Sequence, residues 1–400
     1  MRTTCSSKVR SLVLAASLIG NVGFLSPAFG QVSNASYLID LNTKEWTKLE
    51  TLGSYGSIYF GSTSVYAIND SGRVVGTADT IPPSDPNDQF YIPSSIGFIT
   101  GPNGVGITEL GFNPRDLNNA GQVVGGLQVP PDVPLFFHSY ITGPNGEGRT
   151  PINSLAKDGS DFTVASGIND AGQVAGGSWT GEGGSNHAFI TGPNGVGTID
   201  LGLFGGTSSR AIDINNTAQV AVEAGMADYS THAFITGPNG LGMTDLGTLG
   251  GASSFVSGIN DSGQVVGRSE TAADSRHAFI TGPDGHGMID LGTLGGSFSD
   301  AMGINEAGQV VGRSETATGS EHAFVTGPDG TGMTDLNSLV DLPKGVILAT
   351  ATGINNVGQV IAIAVVPEPS SYALMLAGLA LVGMVIRRKK LSSTHPHTPG

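Results

Sequence analysis

One dipeptide recurs along this chain at nearly constant intervals, and that recurrence limits the folds available to it. Seven aliphatic-Asn pairs are separated by 49, 51, 46, 45, 45 and 50 residues: Ile68-Asn69, Leu117-Asn118, Ile168-Asn169, Ile214-Asn215, Ile259-Asn260, Ile304-Asn305 and Ile354-Asn355. A short run containing an aromatic residue precedes each pair, and four of these runs begin with His-Ala-Phe. Repeats of about 40 to 50 residues indicate a stacked or radial repeat architecture.

Each repeat predicts four short strands. In the copy around residues 264–305, the candidate strands are 264–269, 277–281, 288–291 and 298–304, where apolar residues alternate or β-branched residues cluster. Asn260-Asp261-Ser262-Gly263 and Gly282-Pro283-Asp284-Gly285 have the composition of tight turns, so neighbouring strands should be antiparallel. Consecutive valines such as Val265-Val266 indicate strands that are buried on both faces.

We therefore predict an all-β fold, a seven-bladed β-propeller built from seven four-stranded repeats across residues 31–366. The first copy starts at its aromatic strand, 37–40, and lacks the Val-Val strand before it, whereas the last copy ends with such a strand, 359–364. Pairing these two segments would close the ring. The alternative is a β-solenoid, whose rungs are usually shorter, at about 20–30 residues, and need capping ends.

The repeats resemble a known family. His277-Ala278-Phe279, Asp290 to Gly296 (Asp-Leu-Gly-Thr-Leu-Gly-Gly) and the run 258–267 (Gly-Ile-Asn-Asp-Ser-Gly-Gln-Val-Val-Gly) are similar to the landmarks of the extracellular HAF repeat. Copies five and six match these landmarks almost throughout, and the first two copies are degenerate. The resemblance implies an extracellular protein, and it does not itself imply a number of blades.

The first 30 residues predict a secretory signal peptide. Arg2, Lys8 and Arg10 precede an apolar stretch, and small residues stand at Ala28 and Gly30. We expect cleavage between Gly30 and Gln31. Cys5, the only cysteine of the chain, would be removed with this segment, which excludes disulfides and thiolate sites from the mature protein.

The C-terminal segment has three ordered parts. Pro367-Glu368-Pro369 is followed by fifteen uncharged residues, 372–386, and then by the basic cluster Arg387, Arg388, Lys389 and Lys390. This arrangement resembles the PEP-CTERM sorting signal of Gram-negative bacteria. The resemblance implies a transmembrane helix at 372–386, a sorting segment at 367–390 and an exosortase-type sorting protease as partner. The basic cluster should hold a short cytoplasmic tail, 391–400, inside the membrane before processing. The family usually stops soon after its basic cluster, and this tail is a departure from that pattern.

The charge balance argues against nucleic acid as a partner. Residues 31–366 carry 11 basic against 32 acidic side chains, a net charge of −21, which repels phosphate backbones. The five histidines of the aromatic runs could be read as metal ligands: His138, His187, His232, His277 and His322. Equivalent positions meet only beside an axis, and copies one and two have Ser36 and Gly97 instead, so we predict hydrogen bonds to neighbouring loops. The Asp and Asn residues after each Ile-Asn pair lack the spacing of a calcium loop. We predict no metal site, no cofactor and no catalytic residue.

The least repetitive segments are the expected places for ligand contact: 81–94, 128–134 and 179–186. Trp179 and Phe136-Phe137 could stack on a sugar or simply pack. We expect an exported cell-surface or extracellular-matrix protein, a non-enzymatic propeller that binds exopolysaccharide or envelope proteins. It would be anchored in the inner membrane before processing. The alternative is a secreted glycan hydrolase or lyase, because a propeller can assemble carboxylates from several blades around its axis, and a sequence does not show such convergence.

Overall fold

Two kinds of tight turn recur along the chain and set the local structure: a Gly-Pro-Asn/Asp-Gly turn in six copies, and a turn that begins at the repeated Asn in all seven. In each Gly-Pro-Asn/Asp-Gly turn the Pro begins a short 3₁₀ turn, and the next two residues take positive φ, as at Asp284 (54°) and Gly285 (74°). Asn and Asp tolerate this left-handed conformation, and Gly adopts it without cost. In the Asn-Asp-Ser-Gly turn, Gly263 has φ of 75°, so the run forms the tight turn that its composition predicted.

The computed structural model describes residues 32–49, 59–81, 95–128, 137–159, 162–181 and 184–367. The signal peptide, its cleavage point at Gly30 and Gln31, the sorting residues Glu368 and Pro369, the predicted helix 372–386, the cluster Arg387 to Lys390 and the tail 391–400 lie outside these residues. Among the described residues, no helix is long and apolar enough to cross a bilayer.

The described residues form 28 strands and seven 3₁₀ turns, and they contain no α-helix. The first part of the chain forms three sheets, and in each sheet the strands lie side by side in the order of the chain. The first contains β3 (Tyr59–Ile68), β4 (Val74–Ile81), β5 (Ser95–Thr100) and β6 (Ile107–Glu109), and the second contains β7 (Asn113–Leu117), β8 (Val123–Gln128), β9 (Phe137–Ile141) and β10 (Thr150–Pro151). The third contains β11 (Thr163–Ile168), β12 (Val174–Trp179), β13 (Asn186–Thr191) and β14 (Thr198–Gly202).

The second part of the chain continues the pattern. A fourth sheet contains β15 (Ser208–Ile214), β16 (Val220–Gly225), β17 (Thr231–Ile235) and β18 (Thr244–Asp245). An eight-stranded sheet combines β19 (Gly250–Ile259), β20 (Val265–Thr271), β21 (Arg276–Thr281) and β22 (Met288–Asp290) with β23 (Gly295–Ile304), β24 (Val310–Thr316), β25 (Glu321–Val325) and β26 (Thr334–Asp335). Its two halves are joined by one parallel pair, Arg276 with Phe298.

The sixth sheet joins the two ends of the repeat region. Its order is β2 (Trp46–Lys48), β1 (Val32–Asp40), β28 (Gln359–Pro367) and β27 (Ile347–Ile354). The first strand of the described chain therefore pairs with the last, as the incomplete first repeat predicted. The 3₁₀ turns are Pro102–Gly104, Pro144–Gly146, Pro193–Gly195, Pro238–Gly240, Pro283–Gly285, Pro328–Gly330 and Leu336–Ser338.

The core lies between neighbouring sheets. Val265 and Val266 on β20 are fully buried on opposite faces of the strand, which confirms the prediction from consecutive valines. Phe279, the aromatic residue of a His-Ala-Phe run, is also fully buried. Gly267 between these strands has no room for a side chain, because a Cβ there would lie 1.9 Å from the carbonyl oxygen of Phe255. The recurring Val-Val-Gly motif is thus explained by close packing.

Candidate functional site

The repeated Asn residues form a closed hydrogen-bonded ring. The side-chain Nδ2 of each Asn donates to the main-chain carbonyl of the Asn in the next copy, at 2.9 to 3.3 Å, and Asn355 donates to Asn69. We call this set the Asn ring: Asn69, Asn118, Asn169, Asn215, Asn260, Asn305 and Asn355. Every member is at least 95 % buried. The ring explains why Asn recurs in all seven copies, because the side chain links each turn to its neighbour.

A second closed set lies one residue further along the chain. The main-chain N–H of each member donates to the side-chain oxygen of the next copy's member, at 2.7 to 3.2 Å. We call it the rim ring: Asp70, Asn119, Asp170, Asn216, Asp261, Glu306 and Asn356. Both rings border a cavity of about 170 Å³. Burial raises the pKa of Glu306, and the negative charge of Asp261 adds to the effect.

An apolar layer separates this cavity from a second one. It consists of the residues that precede the Asn ring: Ile68, Leu117, Ile168, Ile214, Ile259, Ile304 and Ile354. The second cavity, of about 190 Å³, shares five lining residues with the first: Ile68, Asp116, Asp213, Ile304 and Ile354. Along each of these strands, the residues that line the second cavity come before the Ile or Leu, and the residues of the Asn ring and the rim ring come after it. The two cavities therefore lie towards opposite sides of the apolar layer.

A β-bulge in every strand that ends at an Ile-Asn or Leu-Asn pair positions one side chain in the second cavity. The pairing register skips one residue at the same place in all seven copies, for example Ser166 between Ala165 and Gly167. A bulge turns the extra side chain away from the regular alternation. We call these residues the collar: Tyr66, Arg115, Ser166, Ile212, Ser257, Met302 and Thr352. All seven line the second cavity.

Two aspartates from different copies line both this cavity and the first one. Asp116 and Asp213 occupy the position that is Gly or Ala in the other five copies. Asp116 accepts the main-chain N–H groups of Leu117 and Ile168 at 2.8 and 2.9 Å. Asp213 accepts those of Ile214 and Ile259 at 2.8 and 3.1 Å. Each carboxyl group therefore joins two neighbouring copies.

The surroundings of these aspartates favour their neutral forms. Burial raises the pKa of Asp116 to about 6, with a smaller contribution from the negative charge of Asp170. Burial, reinforced by the negative charge of Asp116, raises the pKa of Asp213 to about 8. The hydrogen bonds from main-chain N–H groups act in the opposite direction and are outweighed.

The sequence predicted no such convergence of carboxyl groups at named residues. The signal was present, however, because Asp116 and Asp213 depart from the small residue that the other copies carry before Ile-Asn. The collar is harder to foresee, since alternation along a strand does not reveal a bulge.

The recurring histidines make local contacts. The Nδ1 atoms of His187, His232, His277 and His322 each lie 2.7 to 3.0 Å from the carboxylate of the Asp 13 residues later, on the next strand. Their partners are Asp200, Asp245, Asp290 and Asp335. These four histidines do make local hydrogen bonds, but their partners lie on the adjacent strand and not in a loop as predicted. Within the described residues, no group of three His, Cys, Asp or Glu side chains is placed to hold a metal ion.

The predicted ligand loops are only partly described. Residues 82–94, 129–136 and 182–183 lie outside the described ranges, and Phe136 is among them. Phe137 packs against Phe162 with ring centroids 6.3 Å apart, so it contributes to packing. Trp179 ends β12 with 37 % of its surface exposed, and Tyr229 on the equivalent hairpin of the next copy is 98 % exposed.

The C-terminal residues match one family model. A model described as the PEP-CTERM protein-sorting motif matches residues 365–389. The chain carries a PEP-CTERM sorting motif. Such a motif signals export and processing by an exosortase at the membrane. The match does not include the repeats, so the resemblance to HAF repeats stays a prediction. No curated protein matches the chain.

Solved structures with a similar fold include a β-propeller domain. The β-propeller domain of the trilobed protease from Pyrococcus furiosus is 8 % identical with a TM-score of 0.50, and the match covers 77 % of this chain and 90 % of that one. A puromycin hydrolase is 11 % identical with a TM-score of 0.50, over 74 % of this chain and 49 % of the other. A putative TolB from Agrobacterium tumefaciens is 9 % identical with a TM-score of 0.46, over 85 % and 100 %. The match to the Pyrococcus furiosus propeller domain shows that the fold is propeller-like.

Proposed function

We propose that this chain is an exosortase-sorted surface or matrix protein whose repeats form a closed seven-bladed propeller, and that the propeller binds polysaccharide or an envelope protein without catalysing a reaction. The observation that carries the proposal is the position of β28. This strand pairs with β1 and ends at Pro367, the first residue of Pro367-Glu368-Pro369. The sorting segment thus begins where the last structural strand ends.

The two closed rings support the blade count. Seven Asn side chains hydrogen-bond in one circuit that returns from Asn355 to Asn69, and the rim ring repeats the circuit from Asn356 to Asp70. One member per four-stranded unit corresponds to seven blades. A solenoid has two ends and would leave its first and last copies unlinked.

Sorting is tested on the protein as its host makes it. We expect the C-terminus of the mature chain to lack Arg387, Arg388, Lys389 and Lys390, because an exosortase cuts near the Pro-Glu-Pro motif. Intact-mass and C-terminal peptide measurements on the protein from the envelope and the medium would show this. A mature chain that retains the four basic residues would contradict sorting and indicate an ordinary membrane anchor.

A glycan hydrolase or lyase is the second candidate, and one observation favours it. Asp116 and Asp213 come from different copies, line one cavity and have pKa values of about 6 and 8, as paired catalytic acids often do. Against this candidate, all four carboxyl oxygens already accept main-chain N–H groups. Incubation of the purified protein with the host's exopolysaccharide separates the two. Binding without new reducing or unsaturated ends supports the binding role, and accumulating ends support the enzyme.

A further inference from the structure

The collar differs from every other ring around this axis in its composition. The Asn ring uses one residue in all seven copies, the apolar layer uses Ile in six and Leu in one, and the rim ring uses three related residue types, Asp, Asn and Glu. The collar uses six residue types in seven positions, although the bulge that presents them is the same in each copy. A symmetric packing requirement would be met by one repeated residue. A collar with different chemistry on each side suits an asymmetric ligand in the cavity.

The collar cavity has walls suited to a small polar ring. At about 190 Å³ it is smaller than the ~300–1,000 Å³ of sites for drug-sized ligands, so it would hold one compact group. Tyr66 presents a partly exposed ring whose hydroxyl is 2.8 Å from Oγ1 of Thr77, which fixes its orientation. Ser166, Ser257 and Thr352 add hydroxyl groups. The buried Oγ1 of Thr352 has no hydrogen-bond partner among the described residues.

The charged residues that line the cavity favour a ligand whose polar ring carries a cationic group. Asp116 and Asp213 supply two carboxyl groups, and each oxygen has a lone pair left after its main-chain hydrogen bond. Arg115 is the one basic residue of the lining, and its side chain is exposed to solvent. An ammonium group near both carboxyl groups would offset their mutual repulsion, and the face of Tyr66 would add a cation–π contact.

We propose that the collar cavity binds an amino sugar unit, with its ammonium group at Asp116 and Asp213 and its ring against Tyr66. The inference rests on the proposed binding function and specifies its ligand class. It also predicts a proton release, since a cation favours the ionised forms of both aspartates. Because burial raises the pKa of Asp213 to about 8, this group is mostly protonated at pH 7 and would lose its proton when an ammonium group binds.

The test uses protein purified from its host, which is titrated with glucosamine in a calorimeter. Glucose, which has about the same size but no ammonium group, is the control ligand. We expect glucosamine to bind at least about tenfold more tightly than glucose, as loss of a charge-assisted hydrogen bond would weaken binding. Titrations at pH 7 in two buffers of different ionisation enthalpy should show proton release with glucosamine only.

Three variants locate the site. Asp213→Asn should weaken glucosamine binding about tenfold or more and abolish the proton release. Ser257→Phe should block binding by filling the cavity, and it keeps the test decisive if Asp213→Asn folds poorly. Asp261→Asn, on the rim ring beyond the apolar layer, is the matched control and should bind glucosamine like the wild type.

The outcomes separate this inference from the proposed function. Equal binding of glucosamine and glucose, or unchanged glucosamine binding by Ser257→Phe, would overturn the amino sugar site. If glucosamine does not bind while the host's exopolysaccharide does, the site is wrong and the binding function stands. If neither binds, both proposals fail for glycans.

Discussion

The stability of the repeat domain should fall as the pH rises, because the folded protein favours the protonated form of Asp213. Its pKa in the folded protein is about 8, above the ordinary value of 3.8, so the folded state holds the proton more tightly than the unfolded state. A group of this kind contributes most below pH 4, and the contribution is lost progressively between about pH 4 and pH 8. The two pKa values differ by about 4 pH units at ~1.4 kcal/mol each, which gives an upper limit of about 6 kcal/mol. Because the carboxyl group borders a cavity, solvent screening should reduce this to about 3 kcal/mol.

The perturbation that tests this reasoning is Asp213→Asn. The amide keeps one of the two acceptor contacts, to Ile214 or Ile259, so the variant should be about 1 kcal/mol less stable than the wild type at pH 5. It has no proton to lose, so above pH 8 it should be the more stable of the two. Urea unfolding followed by far-UV circular dichroism at pH 5, 7 and 9 measures both free energies of unfolding.

The control is Asp274→Asn. This variant removes one negative charge from the exposed hairpin between β20 and β21, away in the sequence from the residues that line the second cavity. Its stability should follow the wild-type dependence on pH. If Asp213→Asn and the wild type give parallel curves between pH 5 and pH 9, the carboxyl group is not held in its neutral form and the argument fails.

Three further predictions follow from the hydrogen bonds and strand pairing. Asn260→Ala should lower the free energy of unfolding in urea by about 3 kcal/mol, because it removes the hydrogen bond to Asn305 and two hydrogen bonds to Gln264. Asn216→Ala, at an exposed position, should lower it by about 1 kcal/mol. Equal losses would contradict the role of the Asn ring. His277→Ala should cost less than about 1 kcal/mol, since its contact with Asp290 is partly exposed, and a larger loss in thermal melts would show that the pair matters more than geometry suggests. A chain that ends after Gly358 lacks β28 and should show no cooperative unfolding, whereas a chain that ends after Val366 should unfold cooperatively. Similar unfolding transitions for the two chains would argue against closure of the repeat domain by β28.

Strand positions were predictable because the repeat displays the same pattern several times. The candidate strands 264–269, 277–281, 288–291 and 298–304 correspond to β20 to β23, with ends displaced by up to three residues. Tight turns were predictable for a similar reason, since Asn, Asp and Gly stand where the backbone needs positive φ. The closing pair of β1 and β28 followed from the frame of the first and last copies, which required only that each repeat has four strands.

The candidate site was less predictable, because it depends on long-range geometry. A bulge shifts the register by one residue, and nothing in Ser257-Gly258 or Thr352-Gly353 distinguishes a bulged strand from a regular one. Likewise, Asp116 and Asp213 are 97 positions apart, and only the assembled ring brings them to one cavity. Their departure from the Gly or Ala of the other copies was visible in the sequence. The raised pKa values, however, come mainly from burial, which the sequence does not reveal.

The contrast between the Asn ring and the collar shows how one repeat can serve two purposes. The Asn ring must be uniform, because each side chain completes the hydrogen bonds of the next copy and a single exception would leave a buried carbonyl without its donor. The collar has no such obligation, because its residues project into a cavity from a bulge that the main chain forms by itself. A change at Tyr66 or Met302 would therefore alter the cavity at little cost to the ring. This separation lets the Asn ring remain constant while the chemistry of the cavity wall varies. The two aspartates are the exception, since they link neighbouring copies and also line the cavity.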